Sequence, residues 1–201
     1  PKGLEAVGGV RILDRLARVM EDALGAEPLL VANAADAATW HPGLRTVPDA
    51  RPGLGALGGL YTAVVAAPAP VVCVAWDMPF VSRELLALIA RRSARSEYAT
   101  IPLGPSGPEP FCAVYTPACL PWIERALATD DLRLSALLGR LPDVERISAA
   151  YVAVTGEPAR LFFSGPAPFR SCTEIAAVTA ASTMPSGTSA PEASRTMSVY
   201  M

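Results

Sequence analysis

The 201 residues are enough for one domain of ordinary size with a full core. A net charge of −2 and a pI near 5.5 leave no broad basic field for nucleic acid, and no uninterrupted apolar run approaches the ~20 residues of a membrane span. Cys73, Cys112, Cys119 and Cys172 show no CxxC pairing, which predicts free thiols in a cytosolic protein rather than a disulfide framework or a zinc site.

The chain opens at Pro1-Lys2-Gly3 without an initiator Met, and a stretch upstream is expected to have been lost. Glu5, Arg11, Asp14, Arg15 and Arg18 interrupt residues 1–20, so they form no signal-peptide core; a cytoplasmic location is expected. Val10 to Leu24 predicts an amphipathic helix with Leu13, Leu16, Ala17, Met20 and Leu24 on one face, stopped by Gly25. Pro28 to Ala32 predicts a short buried strand ending at Asn33, and Leu44 to Val47 another ending near Pro48-Asp49. A glycine-rich loop from Arg51 to Gly59 leads into a predicted helix from about Leu57 to Ala67.

The segment Val71 to Phe80 organises the rest. Val71 to Ala75 is apolar without alternation, as in a strand buried on both faces of a sheet. Pro79 ends it, because it lacks a backbone N–H and disfavours helical geometry at Met78. Ser82 predicts the N-cap of a helix through Ile89. Asp77 is thereby held at the carboxyl end of a central strand, where open α/β sheets place their ligands. A carboxylate there suits Mg²⁺ bound to a phosphate chain. The same Asp–Pro pattern also fits a plain turn.

Further strands are predicted at Tyr98 to Pro102, at Phe111 to Tyr115 as an antiparallel return, and at Ile147 to Val154. Helices are predicted at Pro117 to Ala128 and Leu132 to Leu141. The alternation argues a three-layer α/β/α fold with a mostly parallel, Rossmann-like sheet. Residues 164–201 change character: Ser, Thr, Pro, Ala and Gly crowd Ser182 to Ser194, predicting a disordered tail behind a domain of residues 1–163.

Asn33 and Asp49 sit just past strand ends, on the same expected sheet edge as Asp77; each also fits a turn. The glycine-rich loop matches neither the Walker pattern nor the dinucleotide-binding spacing. His41 reads as a loop residue rather than a base, and Arg91, Arg92 and Arg95 as a solvated helix end.

These pieces, in this order, resemble the molybdenum cofactor guanylyltransferases of the nucleotidyltransferase family. Residues Pro1 to Gly9 resemble the end of the family's signature, where a glycine-rich loop is followed by Lys and a short Gly-Gly turn. Val47-Pro48-Asp49, Leu57-Gly58-Gly59-Leu60, Asp77-Met78-Pro79-Phe80 and the substrate-side segment Gly107 to Tyr115 follow in the family's sequence, and the resemblance covers roughly Lys2 to Tyr151. The family's first strand and glycine-rich loop have no counterpart here, nor does the Asn-x-Asn-Thr-Pro segment expected after Phe163.

The resemblance implies transfer of GMP from GTP to the molybdopterin phosphate with release of pyrophosphate. It implies Lys2, Asn33, Asp49 and Asp77 as GTP-contacting residues, Lys2 and Asp77 as catalytic, and Asp77 as the Mg²⁺ ligand. GTP, molybdopterin and molybdoenzyme maturation proteins are the implied partners. A CTP-dependent cytidylyltransferase and a non-catalytic nucleotide-binding module that has lost its phosphate loop are the alternatives.

Overall fold

A computed structural model describes residues 1–104, 106–129, 131–148, 175–177 and 198–200. The chain opens with a 3₁₀ turn over Lys2–Leu4, then a two-stranded hairpin of β1 (Ala6–Val7) and β2 (Val10–Arg11). The connecting Gly8 and Gly9 have φ of 61° and 79°, the left-handed geometry that a tight two-residue hairpin turn demands. Helix α1 (Ile12–Leu24) follows, two residues later than its apolar period alone predicts because the hairpin claims Val10 and Arg11.

Parallel strands β3 (Leu29–Val31) and β4 (Arg45–Val47) come next, then α2 (Gly55–Val65), β5 (Val71–Ala75) and α3 (Arg83–Arg92). Strands β6 (Ala99–Gly104), β7 (Gly107–Pro108) and β8 (Cys112–Tyr115) precede α4 (Leu120–Leu127), α5 (Leu134–Arg140) and β9 (Val144–Ile147). In the main sheet β8 lies between β5 and β6 and runs against both, while β9 runs parallel to β6. Strands β5, β6 and β9 thus share one direction and β8 is the expected antiparallel return. The sheet is mixed and mostly parallel in strand direction.

The alternation of side chains divides the core into two halves and gives the three layers. Val72, Val74, Cys112 and Val114 point to the side covered by α1 and α3. Val71, Cys73, Ala113 and Tyr115 point to the side covered by α2, α4 and α5. Every residue of β5 is buried, which is why its sequence shows no polar alternation.

Two further elements differ from expectation. Strand β9 begins at Val144, three residues before the predicted start, because charged Glu145 and Arg146 mask a strand that pairs only with β6 among the described strands. Glu145 is satisfied there by an ion pair with Arg92, so Arg92 is largely buried rather than part of a solvated helix end. Helix α2 starts at Gly55, inside the glycine-rich stretch, whose low helix propensity hides the first turn.

The predicted continuation of the late strand to Val154, Cys172 and most of the expected tail lie outside the described residues. Two short strands are described there: Ile175–Ala177 pairs antiparallel with β5 and Ser198–Tyr200 parallel with it. No helix among the described residues is long and apolar enough to cross a membrane. Cys73, Cys112 and Cys119 are free and buried, and burial pushes all three thiols above their ordinary range, which makes them packing groups rather than nucleophiles.

Candidate active site

Strand β5 ends at Ala75, whose N–H donates to the Phe111 carbonyl at 2.7 Å, and Met78 N–H closes a turn onto the Ala75 carbonyl at 3.2 Å. Asp77 sits in that turn, at the carboxyl end of the strand. Ser82 then accepts from Leu85 N–H at 3.1 Å and launches α3, as its sequence predicts. The Asp77 side chain is only 9 % exposed; its Oδ1 is buried without a hydrogen-bond partner, and its Oδ2 lies 3.8 Å from Lys2 Nζ. A buried carboxylate oxygen with no donor is costly unless a cation or a ligand completes it.

Lys2 reaches Asp77 because Gly3 packs flat on the Trp76 ring. A Cβ at Gly3 would lie 2.3 Å from Trp76 Cε3, so no larger residue fits without a shift. Trp76 in turn stacks on Trp40, with centroids 5.3 Å apart and planes 18° from parallel. The Trp40 carbonyl accepts from Arg11, whose guanidinium grips Asp14 through two hydrogen bonds. His41 Nε2 lies 3.9 Å from the same Asp14 carboxylate.

Asn33 and Asp49 form a second pair, and the strand register explains it. Leu29 pairs with Arg45 and Val31 with Val47, so the residues two positions beyond each strand come out side by side. Asn33 Nδ2 donates to Asp49 Oδ2 at 2.7 Å, and Asp49 N–H donates back to Asn33 Oδ1 at 2.8 Å. Asp49 is buried and Asn33 is exposed. The turn after Asp49 is fixed by Thr62, which accepts from Ala50 N–H and donates to the Gly58 carbonyl, each at 2.9 Å. The glycine-rich stretch therefore serves close packing of α2 on this turn.

Burial raises the Asp49 carboxyl above its ordinary range, and the hydrogen bond from Asn33 offsets only part of that. The folded protein thus holds this proton more tightly than the unfolded chain. The resulting stability is present at low pH and lost as pH rises through the raised value. Asp49→Asn, which can still accept from Asn33, is expected to melt with the parent at about pH 4 and above the parent at about pH 7. Paired thermal melts check this; a difference that shrinks towards neutrality contradicts it.

A cavity of about 180 Å³ opens at the end of β5, lined by Asp77, Met78, Glu109 and Phe111 among others. Glu109, to which the sequence reading gives no role, is half-buried there, and burial raises its carboxyl as well. Its place in the Gly107 to Tyr115 segment, between two prolines next to Phe111, is the signal in the sequence that points towards it. Lys2 with Asp77 and Asn33 with Asp49 are thus brought together as two pairs, and Glu109 joins the first across the cavity.

Comparison with known proteins places the fold and the family. A probable molybdenum cofactor guanylyltransferase of Chloroflexus aggregans is 34 % identical over 139 residues, covering 66 % of this chain and 64 % of the relative. One from Pelotomaculum thermopropionicum is 32 % identical over 127 residues, covering 63 % and 60 %. The chain spans less than two thirds of the length of these curated relatives. Among solved structures, molybdopterin-guanine dinucleotide biosynthesis protein A from Archaeoglobus fulgidus superposes with a TM-score of 0.66 at 21 % identity, covering 81 % of this chain and 82 % of that one. A Mycobacterium tuberculosis protein solved in complex with manganese superposes at 0.57 and 18 % identity, over 74 % and 81 %. Both structures share the fold. The family model of the MobA-like NTP transferase domain matches residues 1–144, well over half of the sequence, and the chain belongs to that family.

Proposed function

We propose that the protein transfers GMP from GTP to the phosphate of molybdopterin, forming the guanine dinucleotide cofactor and releasing pyrophosphate. The observation that carries this reading is the Asp77 carboxylate: nearly buried, one oxygen without a partner, at the carboxyl end of β5 beside Lys2. That donor set fits a hard divalent cation, and Asp77 would hold Mg²⁺. Bound there, Mg²⁺ supplies positive charge against the phosphate oxygens.

The acceptor phosphate oxygen attacks the α-phosphorus of GTP, the bond from that phosphorus to the β-phosphate oxygen breaks, and pyrophosphate leaves with the electron pair. No covalent intermediate is needed, because positioning and charge stabilisation dominate such transfers. Lys2, largely exposed and free to swing from Asp77, neutralises charge that builds on the phosphates. Asp49 fixes the plane of Asn33, and together they contribute to the nucleoside side of the pocket. Guanine presents an N–H and an amine, so a fixed acceptor there rejects bases that lack them. The reading puts the protein in the cytoplasm, with molybdoenzyme maturation proteins receiving the product.

The test is incubation with molybdenum-loaded molybdopterin and α-labelled GTP, CTP or ATP, scoring label in the dinucleotide and pyrophosphate released. GMP transfer well above the other two is expected. Equal use of CTP removes the guanine assignment, and nucleotide binding without transfer leaves only a binding module.

A further inference from the structure

The proposed reaction leaves Glu109 unused, although its backbone is pinned at both its N–H and its carbonyl. It follows the β6–β7 hairpin, in which Leu103 pairs with Pro108 and Gly104 with Gly107. Its N–H donates to the Pro102 carbonyl at 3.0 Å, and its carbonyl accepts from Cys112 N–H at 3.0 Å. Next to it, the Pro110 carbonyl accepts from the buried Tyr115 hydroxyl at 2.8 Å. The side chain folds over Gly104, where a Cβ would lie 2.3 Å from Glu109 Oε1; the glycine is what leaves room for the carboxylate. No basic side chain among the described residues pairs with it.

Glu109 and Asp77 both line one cavity, and among the described residues the only cation paired with either is the exposed Lys2 ammonium at 3.8 Å from Asp77. Two acidic residues lining one partly open cavity repel each other when both are charged, and a divalent cation relieves both at once. Mg²⁺ is typically held by one or two carboxylates, with water and substrate phosphate completing its octahedron. About 180 Å³ has room for the ion with several of its waters. No group of three or more acidic, His or Cys side chains gathers among the described residues, so the remaining positions fall to water and phosphate.

We propose that Glu109 is the second carboxylate of the cation site: it accepts hydrogen bonds from the waters of a divalent ion that Asp77 ligates directly, and so sets that ion's affinity and placement. This rests on the assignment of Asp77 as the metal ligand. Residues that orient a metal's ligands or waters typically contribute ten- to a hundredfold in affinity.

The experiment titrates the nucleotide-free protein with Mn²⁺ alone, reading free Mn²⁺ by electron paramagnetic resonance, for the parent, Asp77→Asn and Glu109→Gln, with melting curves alongside. One saturable site is expected in the parent, nearly lost in Asp77→Asn and weakened roughly tenfold in Glu109→Gln. Should glutamine fail to fold, Glu109→Asp, which keeps the charge but withdraws it by one methylene, is expected to weaken binding in the same direction. Parent-like Mn²⁺ affinity in the folded Glu109 variant, with Asp77→Asn still defective, overturns the role of Glu109 alone. Parent-like affinity in both variants, or no saturable site in the parent, overturns the assignment of Asp77 as well.

Discussion

Asp77→Asn is expected to abolish GMP transfer while leaving the fold intact. Asparagine keeps the shape and still begins the turn before Pro79. It is a poor ligand for Mg²⁺ beside a phosphate chain, because the amide carries no charge. Loss of several kcal/mol of charge stabilisation corresponds to roughly a thousandfold or more in rate. Thermal stability is expected to hold or rise slightly, since the substitution removes a buried charge whose Oδ1 has no partner among the described residues and whose Oδ2 has there only an exposed Lys at 3.8 Å. Turnover measured against Mg²⁺ concentration, with melting curves, decides the point. If the variant transfers GMP within a few-fold of the parent at saturating Mg²⁺, Asp77 is a turn residue and the mechanism fails.

The largest stability effect is expected in the helix that follows. Leu86 of α3 is fully buried in the half of the core shared with α1, directly after the turn that carries Asp77. Leu86→Ala removes that packing and leaves a cavity, costing about 2–5 kcal/mol. At about 2–4 °C per kcal/mol for a chain of this size, the midpoint drops by roughly 10 °C. Phe80→Ala, at a side chain that is half exposed six residues earlier, is the control and should shift by no more than about 0.5 kcal/mol. Similar melting of the two variants would show that α3 does not pack as described.

The central strand and the first helix were legible because each repeats one signal over many residues. Five consecutive buried positions need no partner to be recognised, and the 3.6-residue period of α1 survives the loss of Val10 and Arg11 to the hairpin. Glu145 and Arg92 show the opposite case. Each is charged and reads as surface, and only their pairing across α3 and β9 permits the strand and the burial. The site followed the same division. Asp77 follows locally from a strand and a proline. That Asn33 and Asp49 bond to one another depends on a register between strands 16 residues apart. Glu109 enters the site through the pairing of Gly104 with Gly107 and the space left at Gly104, neither of which one position reveals.

The sandwich of Gly3, Trp76 and Trp40 has an optical consequence. Trp76 is the covalent neighbour of Asp77, and its ring lies in van der Waals contact with the backbone that carries Lys2. Charge arriving between Lys2 and Asp77 falls beside Trp76, one ring of a stacked pair. Trp122, edge-on to Tyr98 with centroids 6.3 Å apart, belongs to the other half of the core. Emission and near-ultraviolet dichroism of the unlabelled protein thus contain a reporter beside Lys2 and Asp77 and a reference set apart from it. If Asp77 and Lys2 bind the nucleotide and its cation as proposed, occupancy is expected to change this signal, with no dye and no substituted residue.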